Sequence, residues 1–391
     1  MKTEFLDLGI QPIANNFLSH LSDSADEYTY RLRVIFDDET KLVSLNQFVP
    51  PELMFNDSYV YHSSMSRTMT DHFSSAAQKF HQEFETQSVL EIGSNDGVFL
   101  RYFPSDDTIA VEPSANFAEI TNDMGYTTYN DFWDKDLATL ILNSHGSRDF
   151  VYAANCVCHI QDLDVAFCAI ADVIAEEGIF VFEDPSLLKM IERCSYDQIY
   201  DEHAHIFSVS ALQNLLNKNG LEIFRVEELE VHGGSNRIYA SLKGRRSVEP
   251  SVSFHLERER IAGLNELTTY TKFATMVQQS KKQLVDLLRE LKRKGYKIIS
   301  YGATSKSTTV FNYCGITTDI IDYIIDTTPS KQGKFSPGSH IPVLSPAEGL
   351  DESVDYAFLG AWNYEKEILN KEEEFIKRGR FISHIPFVRF I

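Results

Sequence analysis

The sequence has no cysteine before Cys156, and its five cysteines (156, 158, 168, 194 and 314) include no CxxC pair. An odd set without such spacing argues against a disulfide framework and against a structural zinc site made of cysteines. No apolar run approaches the length needed to span a bilayer, so no membrane partner is expected. The opening stretch, MKTEFLDLGIQPIANNF, has early acids and no apolar core of the secretory type; a cytoplasmic protein is expected. Positive charge is scarce, with 36 Lys and Arg against 57 Asp and Glu and a net charge of −21. Nucleic acid needs a basic face, so none is expected as a partner, while a local basic pocket for a small phosphorylated ligand stays compatible.

What is present is enough for two or three domains in 391 residues. Residues 1–85 begin with turn-rich sequence and the strand-like YTYRLRVIF, then run through YVYHSSMSR into a polar helical pattern over 67–84. From Ser88 the texture changes. SVLEIGSNDGVFLRYF reads as buried strand, glycine turn and helix, and TIAVEP, DFVYAANC and GIFVFEDP follow as short apolar runs with helical segments between them. That alternation argues for a parallel α/β sheet over 86–255. Residues 256–294 carry apolar positions at helical spacing and read as one long connector helix stopped by Gly295. The α/β texture then restarts in YKIISYGATSKST, DYIIDTTPSKQG, YAFLGAW and RFISHIP, a second Rossmann-like unit within 256–391.

The first glycine turn, LEIGSNDG, separates two ligands. A dinucleotide site wants GxGxxG, with backbone amides facing a pyrophosphate. Here the pattern is ExGxxxG with Asn95 and Asp96 inside it, and Glu112 follows Glu91 by 21 residues, the interval at which such folds hold ribose hydroxyls. An acidic polar turn suits a cationic ligand without phosphates, which describes S-adenosylmethionine (SAM). Glu91, Gly93, Asn95, Asp96, Gly97, Glu112 and Asn155 are the candidate cofactor contacts.

A second stretch, QIYDEHAHIFS, puts Tyr200, Asp201, Glu202, His203 and His205 within six positions. With it, the chain resembles the sugar C-methyltransferases of deoxysugar biosynthesis, which put a methyl branch on C3 of nucleotide-linked 4-keto-6-deoxy sugars. FLDLGIQPIANNFL and ELMFNDSYVYHSSMS are similar to that family's N-terminal domain. LEIGSNDG, AANCVCHIQD and FEDPSLL are similar to its SAM domain, with QIYDEHAHIFS and VHGGSNRIY following in order. YGATSKSTTVFNYCGI, DTTPSKQGKFSPGSHIPV and LGAWNY resemble its C-terminal domain. Two departures stand out. The family's four zinc cysteines are missing here, so no zinc is expected, and Asp201 stands where the family has histidine in its Tyr-His-Glu-His segment.

The resemblance implies a class I SAM-methyltransferase Rossmann-like domain, a small N-terminal α+β domain, a second C-terminal Rossmann-like domain, a nucleotide-linked sugar as substrate and a monomer. It implies active-site roles for His159 and for a tyrosine of YVY, with Tyr61 preferred to Tyr59. Taking a proton from carbon beside a ketone needs a base, donors for the enolate oxygen and rigid placement. Histidine suits the base because its ordinary pKa is about 6.5. His203 is the candidate base, Glu202 its orienting partner or relay, and Tyr200, His159 and Tyr61 the donors. His205 reads as structural and Asp201 as a solvated loop acid. In the C-terminal unit YGATSKST lacks the GxxxxGK[ST] spacing, so it is no triphosphatase loop. Ser305, Lys306 and Lys331 are candidates to hold a diphosphate, with Asn312, Tyr313 and Trp362 lining a nucleotide pocket and Arg237 meeting a phosphate or supporting the fold. Rival readings are a sugar O-methyltransferase, an NAD-dependent oxidoreductase or epimerase, and an inactive binding homologue. The ExGxxxG turn and the lack of a Tyr-x-x-x-Lys pair oppose the oxidoreductase.

Overall fold

The computed structural model describes residues 1–57, 59–84 and 86–391. Seven strands form the central sheet, and counting them from Val89–Ile92 in chain order their spatial order is 3-2-1-4-5-7-6. The first five are parallel, and the sixth and seventh, Leu221–Leu229 and Ser235–Leu242, close one edge as an antiparallel hairpin. Buried on both faces, Val89–Ile92 and Thr108–Val111 have no exposed position, as parallel strands between helices require. The helix Arg67–Glu83 covers one side through Met69, Phe73, Ala76, Ala77 and Phe80, a stripe at helical spacing.

The second α/β unit has the strand order 3-2-1-4-5-6 counted from Ile298–Tyr301, with only the last strand antiparallel. Both sheets therefore reverse strand order beside their first strand. In such sheets ligands bind outside the carboxyl ends of the strands at that reversal. Here the two positions are Ile92–Gly93 with Ala154–Asn155, and Tyr301–Gly302 with Leu359–Ala361.

The N-terminal residues make a third, antiparallel sheet from Lys2–Pro12, Thr29–Asp37 and Val43–Leu45. Its fourth strand is His205–Ile206, which pairs with Ser44 and Val43. The end of QIYDEHAHIFS thus belongs to this sheet. The connector differs from its expected form: it is two helices, Pro250–Ala262 and Leu267–Arg293, separated where Gly263 takes φ +73. A left-handed residue cannot continue a right-handed helix, and glycine adopts that conformation without a Cβ clash. The first helix lies on the Leu221–Leu229 strand, whereas the second lies on the N-terminal sheet.

The second helix buries Tyr270, Phe273, Val277, Leu284, Leu288 and Leu291 in one apolar core shared by the N-terminal sheet and the C-terminal unit. Tyr270 lies between Phe5 and Phe36, with ring centroids 5.0 and 4.6 Å away, and its hydroxyl donates to the Leu264 carbonyl. The cysteines are all free. Among the described residues, no helix is long and apolar enough to cross a membrane. Truncation of a buried aromatic costs about 3–5 kcal/mol, so Tyr270→Ala should lower the denaturation midpoint, and near-ultraviolet circular dichroism should show loss of aromatic packing.

Candidate active site

One cavity of about 480 Å³ receives both strand-order reversals. Gly93, Asn95, Glu112, Asn155 and His159 line it from the central sheet, and Gly302, Ser305, Lys306 and Lys331 from the C-terminal unit. Tyr200, Glu202 and His203 stand between them. Asn15 and the segment from Tyr59 to Ser63 cover the third side.

The glycine turn is shaped for close approach. Gly93 has φ +74, and a Cβ there would lie 2.6 Å from Cys156 Sγ. Glu91, Asp96 and Glu112 are all buried around this turn. Burial, then the neighbouring acids Glu112 and Asp96, push the Glu91 carboxyl well above the usual carboxylate range. Among the described residues its Oε2 has no hydrogen-bond partner, nor does Oδ1 of Asn155. Of these groups Glu112 and Asn155 line the cavity, and an acid with an unpartnered amide oxygen beside it fits a ligand carrying positive charge and N–H or O–H donors. SAM has a sulfonium, an ammonium and ribose hydroxyls, so these residues fit it.

Several cofactor candidates are nonetheless engaged by protein. Glu112 accepts the backbone N–H groups of Asn95 and Ser114 at 2.8 and 2.9 Å, so it braces the turn. Asp96 accepts both the backbone N–H and the hydroxyl of Ser64, and Asn95 accepts the Ser63 N–H while donating to the Tyr61 carbonyl. Glu91, Asp96 and Gly97 are off the cavity wall, and the turn is strapped down by residues 61–64.

His203 donates from Nδ1 to the Gln198 carbonyl at 2.6 Å, and Nε2 lies 2.9 Å from the Tyr200 hydroxyl. A carbonyl can only accept, so this pairing fixes the tautomer with Nε2 unprotonated. Burial, then the charges of neighbouring His159 and Lys306, hold its pKa well below 6.5. Gln198, rather than Glu202, is thus what orients His203. Glu202 instead accepts from Asn15 Nδ2 at 2.6 Å and from the Tyr59 hydroxyl at 3.0 Å. Tyr59 and Tyr61 both line the cavity, and it is the Tyr59 hydroxyl that donates to Glu202.

His159 is stacked between Phe55 and His203, with centroids 5.3 and 5.4 Å away, and its Nε2 has no partner. Burial lowers its pKa to about 4. Cys158, His159 and His203 bring one ligand atom each within 4.8 Å of one another. The three are not hydrogen-bonded to one another: both His203 nitrogens are taken by Tyr200 and Gln198, and the Cys158 backbone N–H donates to Asp184 Oδ1 at 3.4 Å.

Asp201 is 1% exposed, so it is no solvated acid. His205 is buried and contacts the Gln161 carbonyl. In the C-terminal unit Lys306 and Lys331 reach the cavity, and Lys331 also donates to the Ala303 carbonyl at 2.7 Å. Burial lowers the pKa of both lysines. Four candidates lie elsewhere. Trp362 is buried with its indole N–H on Asp197 at 2.6 Å. Asn312 donates to the Thr308 and Pro337 carbonyls, and Tyr313 packs against Tyr196 and Lys281. Arg237 is bonded to buried Glu183, whose own burial would raise its pKa but which His72 and Arg237 hold at about 2. Sequence reading missed Asn15, Gln198 and Asp184; asparagine and glutamine in loops carry no chemical signature until their partners are known.

Three family models match in series: "Putative zinc binding domain" over residues 1–55, "Methyltransferase domain" over 61–226, and "C-methyltransferase C-terminal domain" over 230–386. C-methyltransferase NovU of Streptomyces niveus is 31% identical over 395 residues, covering 99% of this chain and 94% of that protein. The chain belongs to this C-methyltransferase family. Among solved structures, a SAM-dependent methyltransferase of Thermotoga maritima, described as a possible histamine N-methyltransferase, shares 20% identity over 44% of this chain and 88% of its own, with a TM-score of 0.34. Magnesium protoporphyrin IX methyltransferase of Synechocystis, solved with SAM, shares 12% over 44% and 78%, with a TM-score of 0.33.

This C-methyltransferase does not offer the zinc site that the first family model names. Residues 1–55 contain no cysteine and one histidine, His20, a donor set that cannot make a tetrahedral thiolate site. Apolar packing on the Leu267–Arg293 helix holds the sheet instead. Incubation with a strong chelator should therefore leave the thermal midpoint unchanged. Asp184 gives a pH-dependent prediction. Burial raises its pKa from 3.8 to about 7, so the folded state binds its proton more tightly than the unfolded state does. Its contribution is fully favourable below about pH 3.8 and is lost as pH rises through 7. Asp184→Asn should raise the thermal midpoint more at pH 8 than at pH 5.

Proposed function

We propose that the protein is a SAM-dependent C-methyltransferase acting at C3 of a nucleotide-linked 4-keto-6-deoxy sugar. The observation that carries this reading is the locked imidazole of His203: a buried, neutral histidine with its basic nitrogen free of a proton, in the cavity where the two α/β units meet. Transfer to an oxygen or nitrogen does not require a carbon acid to be ionised, whereas transfer to carbon beside a ketone does.

In this reading Nε2 of His203 takes the C3 proton, directly or through the Tyr200 hydroxyl. The C–H electron pair moves into the C3–C4 bond, and the negative charge settles on the C4 oxygen. Neutral donors suit that oxygen, and His159 and Tyr200 are both neutral near pH 7. SAM supplies the electrophilic methyl group. Asn155 and Glu112, on the cavity wall beside the glycine turn, would meet its polar and charged atoms, while residues 61–64 brace the turn. Lys306 and Lys331 give the diphosphate its counter-charge in a chain that is otherwise strongly acidic. The C-methyltransferase relative supports carbon as the acceptor.

Incubation of a 4-keto-6-deoxy sugar nucleotide in heavy water without SAM should place deuterium at C3, read by proton NMR. His203→Ala should slow this about 100-fold or more, the usual share of a general base. Exchange at wild-type rate in the variant would overturn the assignment. Because His203 is neutral down to well below pH 6.5, kcat/KM should not fall with a midpoint near 6.5 on acidification; the loss should lie lower.

A further inference from the structure

The loop that follows the first strand reaches further into the active site than a scaffold needs to. Four hydrogen bonds tie it down, at Ala14 and Leu18. The Ala14 N–H donates to Asp201 Oδ1 at 3.0 Å, and the Ala14 carbonyl accepts from the Thr308 hydroxyl at 3.1 Å. Leu18 exchanges both backbone hydrogen bonds with Phe335 of the C-terminal unit, at 3.0 and 2.9 Å. Between these ties, Asn15 lines the cavity and donates Nδ2 to Glu202 Oε1 at 2.6 Å. Tyr59 donates to the other oxygen.

We propose that Asn15 is a positioning residue for Glu202, and that Asp201 sets it in place by accepting the Ala14 amide. This rests on the reading above for what Glu202 serves, but the contacts themselves stand apart from any substrate. Asp201 and Glu202 are neighbours in sequence, and both are buried. One tethers the loop and the other receives its amide, so a shift of the loop at Ala14 moves Asn15 away from Glu202. An aspartate at position 201 is short enough to make this contact, and it has no ring to displace the loop. A neutral amide suits the task, since it donates a directional hydrogen bond to the carboxylate without adding a charge of its own. The groups facing Glu202 are Asp201, Tyr30, Tyr59, Tyr200 and Cys158, with Lys306 and Lys331 across the cavity. None of the nearer ones supplies a charge that would replace Asn15.

Two readouts on the resting protein test this without any substrate. The first is an infrared pH titration of the carboxyl band, with Glu202→Gln identifying its contribution. Loss of a donor to a charged acceptor is worth about a tenfold change in protonation, so Asn15→Ala should move Glu202 protonation to higher pH by about one unit. The second is amide hydrogen exchange at Ala14 and Asn15. Asp201→Ala should accelerate it about tenfold or more, and Asp201→Asn, which keeps an Oδ1 acceptor, should restore protection. With a turned-over substrate, Asn15→Ala should lower kcat more than it raises KM. An unshifted Glu202 in Asn15→Ala, or wild-type exchange at Ala14 in Asp201→Ala, would overturn the proposal. Should Asp201→Ala not fold, Asn15→Ala at its loop position carries the test alone. Absence of methyl transfer to the keto-sugar would count against the substrate reading and leave both readouts in force.

Discussion

The structure depends on how a run of ionisable side chains is buried where three sheets meet. Tyr200, Asp201, Glu202, His203 and His205 are each 8% exposed or less. Placing such groups out of water is costly unless every one finds a partner or changes its charge. Here each does. His203 is neutral between Gln198 and Tyr200, Glu202 is held by Asn15 and Tyr59, and Asp201 takes the Ala14 amide. Those partners come from within the segment and from the N-terminal residues. The segment therefore cannot reach its geometry until the N-terminal sheet has docked.

That dependence explains the way the N-terminal sheet is built. Its fourth strand is His205–Ile206, so the candidate active-site segment completes the sheet that covers it. The sheet has no thiolate metal site to stiffen it, and its strength comes from apolar contact with the Leu267–Arg293 helix. That helix also joins the C-terminal unit to the same core. One apolar core thus fixes the walls of the cavity, and the polar contacts inside the cavity fix the side chains of residues 200–203.

Much of this was legible in the sequence, and the limits have physical causes. Strand–turn–helix texture located both α/β units, because parallel strands buried on both faces read as apolar runs. ExGxxxG identified the turn, and the density of proton-handling groups identified residues 200–205. The pair Tyr59 and Tyr61 could not be separated: both line the cavity, and Tyr59 alone is hydrogen-bonded to Glu202. The segment is a strap, not a strand, so alternation says nothing about which hydroxyl meets Glu202. Arg237, Asn312, Tyr313 and Trp362 looked like ligand contacts because they flank glycine turns. They are instead spent on protein partners, and for Trp362 that partner, Asp197, is distant in sequence. The single connector helix was broken by Gly263, a residue whose left-handed conformation is not visible in helical spacing.

The central claim is that the cavity ionises a carbon acid before a methyl group is moved. The most direct measurement is the site of the new bond, using SAM labelled with carbon-13 in the methyl group and a 4-keto-6-deoxy sugar nucleotide. The account predicts a labelled methyl coupled to C3 in a carbon–carbon bond. A labelled methyl on oxygen would contradict it.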